Sequence, residues 1–233
     1  MRIICAALAL GLACGVANAL PTVSSDSVKA FRAAIVAADR GERGHAVAIV
    51  DCLLMPRKVT VGTRDTGDAA AVREAVQIWN DRLPDRPLRF SEGGRPDVSV
   101  SVVPEIESGA DIQGRIDFHR LVRWGDEGDG YKVDGNIRIC RETNGRPLDH
   151  DEMVCVMSHE LGHLLGLADD FDRSAVMGPF VAGQPVVGPT DREASEVAAF
   201  RRSLASFRRE LLYRPVWANR HGRIGFRKRG RRR

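Results

Sequence analysis

Residues 159–169 read HELGHLLGLAD, and residues 174–179 read SAVMGP. His159 and His163 stand four apart, so on a helix their imidazoles leave one face about a turn apart. That spacing lets both bind a single Zn²⁺. Glu160 adjoins a ligand without sharing its direction. It can hold a water beside the metal and take its proton. Two helical ligands leave a catalytic zinc one protein ligand short. Gly166 is placed to end the helix, because glycine enters the left-handed turn without steric cost. The chain can then double back and present Asp169 to the metal. Asp170 is a rival by one residue.

HExxHxxGxx followed by a third ligand resembles the signature of the metzincins, the zinc endopeptidases that include matrixins, astacins and snapalysin. Met177, eight residues after Asp169, is similar to the matrixin methionine turn in spacing and local sequence. The element order from about 57 to 212 also resembles a matrixin catalytic domain, although outside 158–179 the likeness is one of pattern. The resemblance implies an α+β zincin domain. Its parts would be a twisted, mostly parallel sheet with an antiparallel edge strand, an active-site helix and a C-terminal helix. It implies a zinc endopeptidase with His159, His163 and Asp169 as ligands, Glu160 as general base and Met177 beneath the metal. Most metzincins have His at the third position; Asp there is similar to snapalysin-like enzymes. An anionic ligand leaves a less positive metal, so Glu160 must do more of the activation.

Outward from this stretch, residues 151–165 are expected as the helix that carries it. A final helix is expected over 191–212, with Thr190 and Glu193 as its capping box. Upstream, residues 68–82 carry Val72, Ala75, Val76 and Trp79 at i, i+3, i+4 and i+7, an amphipathic helix stopped by Leu83-Pro84. Strand-like runs lie at 46–54, 58–62, 87–91, 97–103, 114–119 and 136–140; 97–103 alternates with period two. Residues 26–39 read as a helix capped by Ser25 or Asp26. The stretch GDEGDGYKVDG at 125–135 reads as a solvated loop. It could hold Ca²⁺, but its carboxylates miss the EF-hand spacing. The pattern is α+β, a sheet covered by helices.

The chain has 233 residues, 43% hydrophobic and 28% charged, which excludes wholesale disorder and a polytopic membrane protein. Residues 1–19 read as a signal peptide: Arg2, an apolar stretch from Ile3 to Val16, and a cleavage site at Ala17-Asn18-Ala19. Lipidation at Cys14 is disfavoured by Gly11, which stands where a lipobox has a branched aliphatic residue. A secreted or periplasmic location follows. Residues 20–45 are then an N-terminal segment or short propeptide, and 46–213 the peptidase domain. The basic tail at 214–233 holds nine of the 35 Lys and Arg residues and no Asp or Glu, leaving the rest of the chain at net −5. It is either a disordered solubilising tail or an attraction to an anionic surface or polymer.

An exported chain favours disulfides. Cys140, ending a strand, and Cys155, on the next helix, are the preferred pair; the alternative is Cys155 as a buried core thiol. Cys52 lacks the matrixin propeptide-cysteine context, so a core or disulfide role is expected over a zinc-blocking one. Two other functions compete with the endopeptidase reading and its protein or peptide substrate laid along 114–119. One is a gluzincin with Glu193 or Glu196 as third ligand, which needs neither Gly166 nor the methionine turn. The other is a non-catalytic zinc-folded module targeted to anionic partners, against which Glu160 argues.

Overall fold

The computed structural model describes residues 23–64, 67–106, 113–123 and 130–213. The signal segment, the basic tail and the acid-rich positions 125–129, with the Ca²⁺ reading placed there, lie outside these residues. Five helices are described: α1 (Ser25–Asp39), α2 (Arg43–Leu54), α3 (Ala69–Arg82), α4 (His150–Leu165) and α5 (Asp191–Tyr213). Five strands form the main sheet: β1 (Val59–Thr63), β2 (Leu88–Phe90), β3 (Val98–Val103), β4 (Gly114–Arg123) and β5 (Gly130–Cys140). Their order is β2-β1-β3-β5-β4, parallel except for β4, which runs antiparallel to β5 along the edge. A small hairpin of β6 (Glu142–Thr143) and β7 (Arg146–Pro147) follows. The fold is α+β, with the mostly parallel sheet and antiparallel edge strand that were expected.

The period-two pattern explains the sheet's two faces. Val59, Val61, Val98, Val100, Ile137 and Ile139 point into a core shared with α3 and α4. Between them, Ser99 and Asn136 are paired across β3 and β5 and hydrogen-bond at 3.2 Å. Trp79 is fully buried where α3 meets α4, and its Nε1 donates to Ser158 O at 2.9 Å, one residue before His159. The helix stripe read from sequence therefore packs directly against the helix that carries His159 and His163.

Three expectations need correction. Residues 46–54 form helix α2, not a strand. Ala46, Val50, Leu53 and Leu54 pack at helical spacing with α1 and α5, and Asp51 pairs with Arg208. Ala48 and Cys52 are buried as well, so no polar face remains to reveal the period. Met55, at φ +48°, and Pro56 end the helix. Residues 130–135 belong to β5 rather than to a loop, because β4 and β5 run on together as one long hairpin.

The Cys140–Cys155 disulfide is not formed, and none links Cys52 to either. Cys140 closes β5, with its N–H on Gln113 O, whereas the Cys155 sulfur faces the backbone of Val186 in the loop after α4. Among the described residues no helix is long and apolar enough to cross a membrane.

Candidate metal centre

Helix α4 is fixed at both ends by its own sequence. Asp149 accepts the Glu152 N–H at 2.9 Å, and Glu152 accepts the Asp149 N–H at 3.0 Å, a reciprocal capping box. At the other end Gly166 sits at φ +104°, a conformation that costs an L-residue with a Cβ. The Gly166 and Leu167 N–H groups return to His163 O and Gly162 O, which satisfies the last carbonyls. The helix thus stops where the motif requires, and the chain reverses beneath it.

Reversal brings Asp169 under both histidines. Its Oδ1 lies 3.2 Å from His159 Nε2 and 3.4 Å from His163 Nε2. The imidazoles stand edge to face, centroids 4.8 Å apart. Each ring is anchored through its other nitrogen: His159 Nδ1 donates to Val176 O at 2.9 Å and His163 Nδ1 to Leu167 O at 3.1 Å. A carbonyl only accepts, so each Nδ1 carries the proton and each Nε2 is left to bind a cation. The two imidazoles hold the Asp169 carboxyl far below the usual carboxylate range. Burial alone would lower His163, but the Asp169 and Glu160 carboxylates overcome it and raise it.

This donor set fits zinc. The three ligand atoms lie within 4.8 Å of one another, and they are the only such group among the described residues. Two imidazole nitrogens on anchored rings and one carboxylate could together supply three ligands to a Zn²⁺ ion. The Asp169 side chain is 78% exposed, so the cluster is open to solvent on its side.

Glu160 packs against β4. It is 4% exposed and accepts the Ile116 N–H. Burial pushes its carboxyl up, against the opposing charges of His159 and His163. β4 passes so close that a Cβ on Gly114 would sit 2.6 Å from Glu160 Oε1 and 2.5 Å from Val156 Cγ1. Gly114 was not singled out by sequence reasoning, because its constraint comes from Val156 and Glu160 on a helix some forty-five residues away in the chain.

Met177 is fully buried, and its sulfur touches the position a Cβ on Gly162 would take. It therefore lies against α4 at Gly162, the residue before His163. Asp170 is not a ligand: its carboxylate faces Arg192 and the Asp172 N–H. Glu193 is also elsewhere. Its carboxylate accepts four donors: the N–H groups of Val176, Met177 and Thr190, and the Thr190 hydroxyl. Glu196 accepts from Arg192. Cys52 is buried on α2, and burial pushes its thiol up to about 11, the opposite of a metal-seeking thiolate.

No protein-family model and no curated protein matches this chain.

Proposed function

We propose that this chain is a secreted zinc-dependent endopeptidase of the metzincin type. The observation that carries the reading is the convergence of His159 Nε2, His163 Nε2 and Asp169 Oδ1, with a buried Glu160 carboxylate on the next residue. Zinc held by these three atoms supplies a Lewis acid for a peptide carbonyl and makes water acidic near neutral pH. Glu160 takes a proton from the attacking water at its carboxylate and returns it to the leaving amine. Its burial, which raises it, makes it a stronger base for the first half of that exchange. β4 is the last strand of the sheet, so an extended peptide can add along it beside Glu160. Gly114 and Gly166 serve by what they lack: one leaves room for Glu160, the other lets the chain turn.

Metal analysis of the purified full chain, paired with cleavage of an unstructured protein, tests this. The expected result is one zinc per chain and cleavage abolished by a chelator. Glu160→Gln should keep its zinc and lose roughly 100-fold or more in rate. Bound zinc without chelator-sensitive cleavage would favour the non-catalytic module. Loss of zinc in Glu196→Ala, with zinc kept in Asp169→Ala, would favour the gluzincin.

A further inference from the structure

The peptide group joining Val176 to Met177 is hydrogen-bonded at both ends. Its carbonyl, Val176 O, accepts His159 Nδ1 at 2.9 Å. Its N–H, on Met177, donates to Glu193 Oε1 at 2.8 Å. One flat, resonance-stabilised unit therefore lies between a carboxylate and a histidine of the metal site. Flanking groups secure the same turn. The Val176 N–H reaches Glu193 Oε2 at 3.3 Å, and Met177 O accepts the N–H of Asp170, the neighbour of Asp169, at 2.8 Å.

Glu193 is 1% exposed. Its remaining partners are the Thr190 N–H and hydroxyl, each at 2.8 Å. All four donors are neutral groups. A capping box alone needs only the Thr190 contacts, and it works at exposed helix ends. Burying a carboxylate without a cationic partner is costly, so its aim at the turn calls for a further reason.

We propose that Glu193 is a positioning residue for His159, acting through the Val176–Met177 peptide group; the proposal rests on the metal-site reading above. A carboxylate that accepts the peptide N–H shifts electron density toward the peptide oxygen. That oxygen becomes a stronger acceptor for the His159 Nδ1–H, since linked hydrogen bonds polarise one another. The imidazole is then held in one tautomer and one orientation, with Nε2 a better donor to a cation. The link is a carboxylate–peptide–histidine chain, in which a main-chain amide replaces the direct contact of carboxylate with imidazole.

The experiment uses the full chain with Glu193→Gln, Glu193→Asp and Thr190→Val. Zinc affinity is read by competition with a chromogenic chelator. The His159 Nδ1–H proton resonance is read by NMR in metal-free and zinc-loaded protein. Glu193→Gln should weaken zinc binding about 10-fold, in the range of lost outer partners of metal-bound histidines, and should move the His159 resonance. Glu193→Asp keeps the charge and should recover part of both. Thr190→Val removes the hydroxyl's two contacts with Glu193 but leaves Oε1 on the Met177 N–H, and should lower stability with little change in zinc affinity.

If Glu193→Gln lowers stability but leaves zinc affinity and the resonance unchanged, or if Glu193→Asp does no better than Gln, the proposal fails and Glu193 is a cap alone. Should the wild type bind no zinc, the metal reading fails separately. The resonance in metal-free protein still decides whether Glu193 governs His159.

Discussion

Asp169 reaches both imidazoles through Oδ1, whereas Asp170 gives its N–H to Met177 O and its carboxylate to Arg192. The difference of one residue comes from Gly166, whose left-handed turn sets the register of everything after it. Asp169→Ala should therefore lose more zinc affinity than the roughly 10–100-fold expected for an outer partner. Asp170→Ala should stay near wild type in the same chelator competition. Equal losses in both would mean that the turn, not the carboxylate, sets affinity. Gly114→Ala tests the other side of the site. The new methyl must displace Glu160 or Val156, and a misplacement near 1 Å costs about 100-fold in rate. Turnover should fall while one zinc per chain is retained; unchanged kcat/KM would show that β4 does not confine Glu160.

At the scale of elements, α4 starts from a buried charge. Glu152 is fully buried, with Arg146 bridging both oxygens at 2.5 and 2.7 Å and the Gly183 N–H at 2.7 Å. The Arg146 hydrogen bonds, outweighing the cost of burial, lower its carboxyl to about 2. A depressed carboxyl stabilises the fold above its unfolded value near 4.5 and stops doing so as pH falls toward 2. Glu152→Gln should cost roughly 2–3 kcal/mol at pH 7 and much less at pH 3, measured by denaturant unfolding. A pH-independent difference would rule out the ionic account. This anchor was not read from the sequence, although Asp149 and Glu152 form a D-x-x-E box in plain view. The clustering of His159, His163 and Asp169 was legible because these residues and Met177 lie within nineteen consecutive residues, the first seven on one helix and the rest beyond the turn at Gly166. α2 was not, because Ala-Val-Ala-Ile-Val buried on two sides shows neither a strand period nor a helix period. Glu193 was read as a cap and as a rival ligand; its contacts with the 176–177 turn depend on how α5 packs, which no local pattern encodes.

Over the whole molecule, the N-terminal helices are tied to the site from two directions. Val23 pairs with Leu167, and the Ser24 N–H donates to Gly166 O at 2.8 Å, on the very turn that presents Asp169. Phe31 packs edge-on against Phe200 and Phe207 at 6.2 and 5.6 Å, in a second core shared by α1, α2 and α5. α5 in turn begins at Glu193's end of the methionine turn. If residues 20–45 were a removable propeptide, a chain starting at residue 46 would fold and keep its zinc. The packing argues otherwise. Cutting there removes the first turn of α2 and strips Val23, Phe31 and Ile35 from Phe200 and Leu204. Each large apolar side chain is worth about 1.5–3 kcal/mol when buried, and a domain's whole stability is about 5–15 kcal/mol. The 46–233 chain should therefore be largely unfolded at 25 °C by circular dichroism, with zinc affinity reduced well below that of the 20–233 chain. A cooperative melt of 46–233 at the temperature of 20–233, with zinc bound equally well, would make the N-terminal helices dispensable and return the propeptide reading.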